Sequence, residues 1–430
     1  MKNLLIVTPH FPPANTPDSQ RVRQSLPHYR EFGWTPTVLA VAAEDVDAPR
    51  DDSLAATLPM DVAIERVRAP RWPRALGVRA AGLRAWLPLA NAGDHLLRSN
   101  RFQLVLFSTT AFPAMTLARR WQRRQRAVCV LDLQDPWFTG LPESAAKYPR
   151  GSKAWWARRM HGCLEPVAMA AADGLIATAP AYIPALHERY PHLRRVPGAT
   201  IPFGVSARDF ELARGTARAP AGEVTRALYA GAVNPEMQPV LELLFLAVHI
   251  GAERGLPELS RLRFEFVGTH YGATPPPVSR VRAAAEKHGV TAQVSEHAAR
   301  LPYLDTLRRM RAADLLLLPG SADPAYLPSK LFPCASAGPP VLALAHAASP
   351  LAAAYCALYG RPAFTFESAD LADPRARAER LAGEVENFLT QRAAFPAPDA
   401  GVLERASART LTRAQCELFD QVLARRQAAA

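Results

Sequence analysis

At 430 residues the chain is too long for one ordinary hydrophobic core and suits two domains of about 200 residues each. No run of about 18 uncharged apolar residues occurs, and Met1 and Lys2 lead directly into an apolar run without a signal-peptide core, so the expectation is a cytoplasmic, non-spanning protein. The formal net charge of +12 is uneven: residues 1–200 hold 26 Lys and Arg against 16 Asp and Glu, and the remainder 25 against 23.

Strand-like runs at 4–8, 37–41, 103–107, 127–131 and 174–178 alternate with segments of helical period, the pattern of a first α/β sheet of Rossmann type. The stretch 206–224 lacks a periodic apolar pattern and reads as a hinge. A second series of strand-like runs follows at 226–230, 262–267, 291–295, 314–318 and 340–344, and residues 371–391 and 401–426 have the period of terminal helices. This predicts an N-terminal domain over 1–205, a hinge over 206–224, a second domain over 225–400 and a final helical segment over 401–430.

Basic residues concentrate in three places: Arg66 to Arg84, Arg119 to Arg126, and Lys147 to Arg159, where Trp155 and Trp156 lie among Lys153, Arg158 and Arg159. Such interleaving suits a surface facing anionic lipid, and it equally suits a solvated helix face. No nucleic-acid-binding motif accompanies the charge. Five cysteines, Cys129, Cys163, Cys334, Cys356 and Cys416, have no paired spacing, so neither a disulfide framework nor a zinc site is indicated.

The most informative segment is Tyr326 to Leu344, YLPSKLFPCASAGPPVLAL. Pro328 presets a helix start, Ser329 can cap its free amides, and Lys330 adds positive charge where a helix dipole favours an anion. Gly338 closes the helix as a left-handed residue would, and a buried strand follows. Lys330 reads as a phosphate ligand or as an exposed lysine. Gly231, after the run Leu228 to Ala230, permits close approach of a ligand or makes an ordinary turn.

This segment resembles the C-terminal-domain signature of GT-B glycosyltransferases, particularly family 4, in which a run like S-K-L-x-E-x-x-A-x-G-x-P-V-L-A contacts the nucleotide of a sugar donor. The similarity extends to LLIVTPHFPP from Leu4 to Pro13 with Ser19 and Arg21 after it, to Val130–Trp137, VLDLQDPW, to Ala172–Thr178, Ile201–Val205 and Leu228–Gly231, to Phe264–Gly268, and to Ala313–Pro319. It implies an α/β GT-B architecture of two Rossmann-like domains facing each other across a cleft, the last helix packing back on the N-terminal domain. The implied activity is retaining transfer of a sugar from a nucleotide-sugar donor to a glycan or lipid-linked acceptor in surface polysaccharide or glycolipid synthesis, without a metal or other cofactor. Peripheral contact with the inner membrane face would follow from the basic surface.

Residue by residue, the resemblance implies His10, Asp135 and Lys330 at the reacting centre. It implies Gly231, Tyr271, Ser329, Lys330 and Leu331 on the donor side, and Pro13, Arg21, Asp135 and Trp137 on the acceptor side. Asp135 could take a hydroxyl proton or cap a helix before Pro136, and His10 could orient a substrate or be structural. Tyr271 could touch a base, or Thr274-Pro-Pro-Pro277 could make its loop a rigid connection.

The chain also departs from the family pattern. The ribose-binding glutamates give way to Ala325 and Pro333, the basic clamp after Gly231 is absent, and Asp18 stands before Ser19 and Arg21, where it needs Arg21 or Arg23 as a partner. These departures leave open a non-catalytic GT-B protein that binds a glycan, nucleotide or partner, and, in third place, a sugar-nucleotide epimerase.

Overall fold

The computed structural model describes residues 1–70, 80–99, 101–138, 150–215, 222–270 and 279–428. Tyr271, the basic residues 71–79 and Lys147 lie outside the described residues. The chain forms two compact units, Met1–Gly204 with Ala408–Ala430, and Val205–Ser407.

The first unit is built on seven strands: β1 (Lys2–Val7), β2 (Trp34–Val41), β3 (Ala63–Val67), β4 (Leu104–Ser108), β5 (Cys129–Leu133), β6 (Gly174–Ala177) and β7 (Gly198–Thr200). They pair in parallel in the order β3-β2-β1-β4-β5-β6-β7. Side chains alternate across a strand, and here both faces are buried. Leu5 and Val7 of β1 point into a layer with Leu89, Trp121 and Met169, whereas Leu4 and Ile6 point into one with Val22, Trp34 and Phe419.

Phe419 belongs to the last helix, Ala408–Ala428, whose apolar face (Cys416, Leu418, Phe419, Val422) closes the second layer of this unit. Its ring meets Trp34 edge-on at 5.4 Å and stacks beside Tyr29 at 6.4 Å.

The second unit carries six strands: β8 (Thr225–Ala230), β9 (Leu262–Val267), β10 (Val294–His297), β11 (Leu315–Pro319), β12 (Val341–His346) and β13 (Phe364–Phe366). Their order is β10-β9-β8-β11-β12-β13, again with every pair parallel. Leu315 and Leu317 of β11 face the helices Gln238–Glu253 and Arg375–Thr390, while Leu316 and Leu318 face Tyr303–Ala312, Leu331–Ala337 and Pro350–Tyr359.

The structure adds elements that periodicity does not announce. The edge strands β3, β7 and β13 are short and only partly buried, so they lack an apolar run. Within the expected hinge, Ala207–Leu212 is a helix, with the Ser206 hydroxyl accepting from the Asp209 amide at 3.2 Å and Phe210 buried in the second unit. The expected strand at 291–295 begins only at Val294, after a 3-10 turn over Thr291–Gln293.

Since Phe419 fills the space between Trp34 and Tyr29, Phe419→Ala should leave a cavity and destabilise the first unit by about 3–5 kcal/mol. Denaturant unfolding followed by tryptophan fluorescence should show a lower midpoint with unchanged slope.

Candidate functional site

Both sheets reverse their strand order once, between β1 and β4 in the first unit and between β8 and β11 in the second. At such a point the loops leaving two adjacent strands run in opposite directions and open a crevice at the carboxyl edge, where ligands of open α/β sheets bind.

In the second unit this point is occupied by Gly231, which follows β8, and Lys330, in the segment after β11. The Lys330 ammonium lies 5.4 Å from the centre of the Tyr229 ring. Gly231 has φ +144°, and a Cβ on it would fall 2.0 Å from Lys330 Cε and 2.4 Å from Nζ. The glycine therefore makes room for the lysine itself. Among the described residues no carboxylate pairs with this ammonium. Burial lowers the Lys330 pKa to about 8, the buried thiol of Cys334 acts in the opposite direction, and Arg300, in the loop after β10, pushes it down further. A desolvated, unpaired ammonium with a second cation nearby is a site an anion would stabilise.

Several expected roles change here. The helix after Lys330 spans only Leu331–Ala337, and Lys330 is its cap residue with no side-chain cap. Ser329 is exposed and does not cap, because the helix begins two residues beyond it, out of reach of its hydroxyl. Leu331 is completely buried among Leu316, Leu318 and Tyr355, so its side chain packs the core and is shielded from any donor. Gly338 has φ +103° and ends the helix.

In the first unit Asp18 is fully buried and ties together the loops after β1 and β4. One oxygen accepts from Thr16 Oγ1 at 2.6 Å and the Ser19 amide at 3.1 Å. The other lies 2.8 Å from His10 Nδ1 and accepts from Thr109 Oγ1, the Thr110 amide and Thr110 Oγ1, each at 3.1 Å. Burial alone would raise its pKa, but His10 and these donors outweigh it and hold it at about 2. Burial alone would lower the His10 pKa, and the Asp18 carboxylate raises it above 6.5 instead.

Asp18 therefore has His10 as its partner, and neither Arg21 nor Arg23 fills that place. Arg21 turns the other way. Its guanidinium donates to Asp132 at 2.6 and 3.0 Å and to the carbonyls of Ile201 and Pro202 at 2.9 Å each, so four of its five N–H groups are spent holding β5 to the segment after β7. That geometry makes Arg21 an internal brace, where the sequence suggested an acceptor ligand. Pro13 is half-buried, and its carbonyl accepts from the Asp51 amide at 2.7 Å.

Asp135, two residues past β5, is exposed and makes no hydrogen bond to the described residues, so it caps nothing. Partial desolvation, then the nearby Asp18 charge, hold its pKa above the ordinary 3.8. Beside it opens a cavity of about 380 Å³, lined by Leu133, Pro136, Trp137, Phe138, Tyr182 and Leu186 among others. Trp137 is 7% exposed, stacks on Phe112 with centroids 5.3 Å apart, and donates to His161 Nδ1 at 2.7 Å. Burial lowers the His161 pKa, consistent with a neutral acceptor.

The structure thus brings His10 to the switch point of the first unit, with Asp135, past the neighbouring β5, near enough to Asp18 to feel its charge, and Gly231 and Lys330 to that of the second. The sequence reading missed the part played by Asp18, Thr109, Thr110, Tyr182 and Arg300. Thr109 and Thr110 had a signal, small polar residues directly after an apolar strand, whereas Arg300 lies three residues past the end of β10 in a loop with no local motif.

No sequence-family model matches the chain, and no curated protein matches it. Solved structures do. Sucrose-phosphate synthase from Thermosynechococcus elongatus is 15% identical with a TM-score of 0.63, over 99% of this chain and 100% of that one. The trehalose 6-phosphate synthase of Burkholderia multivorans is 14% identical with a TM-score of 0.63, over 100% and 98%. The Anabaena protein HepE, in complex with UDP and glucose, is 15% identical with a TM-score of 0.59, over 98% and 100%. The chain has the α/β GT-B fold of two Rossmann-like domains that these proteins share.

The Asp18–His10 pair fixes a pH window. The depressed carboxyl contributes stability above its ordinary value of 3.8 that is lost as pH falls toward about 2, and the raised imidazole contributes below 6.5 that is lost as pH rises through its folded value. Asp18→Asn should therefore cost about 2 kcal/mol between pH 4 and 6.5, with the gap to wild type narrowing on either side. Urea denaturation of both proteins across pH 3–8 measures it.

Proposed function

We propose that the protein is a glycosyltransferase that moves a sugar from a nucleotide-sugar donor to an acceptor hydroxyl with retention of configuration. The observation that carries this reading is the unpaired Lys330 ammonium over Gly231 at the switch point of the second sheet. A nucleoside diphosphate leaving group supplies the negative charge this site lacks, and a preorganised cation stabilises it most as its bond to the sugar breaks. The likeness to HepE, whose structure holds UDP and glucose, supports the same assignment. No metal is required if Lys330, with Arg300, carries the diphosphate charge. In the first unit Asp135 is the group assigned to the acceptor hydroxyl, with His10 orienting substrate beside it.

A second reading rests on a specific observation. Position 325 is an exposed alanine and position 333 a half-buried proline, so neither supplies a carboxylate to a ribose. A GT-B protein that binds nucleotide or glycan without turnover would tolerate both. Turnover by the purified protein eliminates this reading, and donor conversion without any acceptor would favour an epimerase.

Peripheral contact with an anionic membrane is a further part of the proposal. Leu87, Trp156 and Val167 are 59, 61 and 41% exposed, and Leu83, Trp86, Leu164 and Val167 line a trough with Arg119 and Arg120. Such a surface fits lipid headgroups around shallow apolar insertion, as synthesis of a glycolipid or surface polysaccharide would use. Trp156→Glu should weaken co-sedimentation with phosphatidylglycerol vesicles several-fold while leaving nucleotide binding intact; equal sedimentation would remove the membrane from the proposal.

Calorimetry against UDP-, GDP-, dTDP- and ADP-sugars tests the donor site. One nucleotide should bind saturably, Lys330→Ala should weaken it at least tenfold, and Gly231→Ala should do nearly as much by displacing the lysine. Because Lys330 titrates at about 8 in the free protein, affinity should be level below pH 7 and fall as pH rises above 8. Absence of binding by every nucleotide would refute the reading.

A further inference from the structure

Most polar groups in the described walls of the cavity beside Asp135 are already spent on one another or on the backbone, the buried Arg189 Nε being the exception. Glu165, with its side chain fully buried, accepts from Arg189 Nη2 at 3.1 Å and from the Tyr190 hydroxyl at 2.8 Å. Arg189 also donates to the Phe138 carbonyl, and the Trp137 indole N–H is taken by His161. Among the described residues the cavity presents chiefly carbon, from Leu133, Pro136, Trp137, Phe138, Ala185 and Leu186. Polar groups do remain at its margin. Asp135 is one, the Tyr182 hydroxyl, whose pKa is raised by burial first and then by the Asp135 charge, is another, and Glu188 is exposed.

This chemistry selects its occupant. A carbohydrate bears hydroxyls on every side, and burying them here without partners would cost several kcal/mol. A phosphate- or carboxylate-bearing molecule would meet the charges of Asp135 and Glu188. An uncharged molecule with an apolar body and a hydroxyl at one end meets neither cost, and about 380 Å³ is in the range of pockets that hold small organic ligands.

We propose that this cavity is a binding site for the apolar body of an uncharged, hydroxyl-bearing acceptor, an aryl or alkyl alcohol, whose hydroxyl points at Asp135. This rests on the glycosyl-transfer reading for its role as an acceptor site, and it narrows that reading from a glycan or carrier lipid to an apolar alcohol.

The test uses the full chain and two probes, 2-naphthol and 1-octanol, which distinguish an aromatic from an aliphatic occupant, with glucose and maltose as polar controls. Calorimetry should show saturable binding of at least one probe and none of either sugar. Ala185 is exposed and lines the cavity, so Ala185→Trp fills it from the solvent side with little risk to folding. It should weaken probe binding at least tenfold while UDP affinity stays within twofold of wild type. Ala181→Phe, at another lining position, is the independent check. Failure of both probes to bind, binding undiminished in both filled variants, or equal binding of maltose would each overturn the proposal. Probe binding that the filled variants abolish, in a protein that binds no nucleotide, would leave the cavity assignment standing and overturn glycosyl transfer alone.

Discussion

The constraint on which the rest depends is that each sheet is parallel, buried on both faces and reversed once in strand order. Parallel strands need crossover helices, and crossovers on both faces leave the loops at one sheet edge as the place where polar side chains can converge. In the first unit that edge collects Asp18, His10, Thr109 and Thr110 around a single buried carboxylate. In the second it collects Gly231 and Lys330 around a single desolvated ammonium. The two charges meet burial in opposite ways. Asp18 is fully paired and its pKa falls, whereas Lys330 has no counter-ion among the described residues and its pKa falls because the charged form is disfavoured.

These two sites differ in what they cost the fold. Six interactions converge on Asp18, so its charge is stabilising and it shapes two loops at once. Burial disfavours the Lys330 charge, and among the described residues no carboxylate offsets that cost. The Arg21–Asp132 pair belongs with Asp18: satisfied by each other, by Ser108 at 2.7 Å and by the carbonyls of 201 and 202, these residues hold β4, β5 and the segment after β7 in register and have little left to offer a ligand.

Much of the architecture was legible in the chain because buried parallel strands are continuous apolar runs. Leu4–Val7, Leu104–Phe107, Leu315–Leu318 and Val341–Leu344 are all nearly inaccessible, and each stands out without any partner being known. The edge strands were hidden for the converse reason, since β3 and β7 are partly exposed and mix apolar with polar residues. The helix at Ala207–Leu212 was hidden because its stability comes from one buried phenylalanine and a serine cap, too little to create a period.

The candidate site was legible as residue types and illegible as pairings. The Ser329-Lys330 motif and the Asp135-Pro136-Trp137 turn were evident from local chemistry alone, and so was the positive charge of the first 200 residues. That Lys330 lies over Gly231, 99 positions away in the chain, that Asp18 takes His10 as its partner in place of an arginine, and that Arg21 is consumed by Asp132 were decided by tertiary structure. The sequence by itself determined which segments are the buried central strands, what charges are available and where a phosphate-binding lysine could stand, because those depend on neighbours along the chain. Only the folded sheets decided which charges are compensated and which cavity stays apolar, because desolvation and pairing depend on distances that the strand order sets.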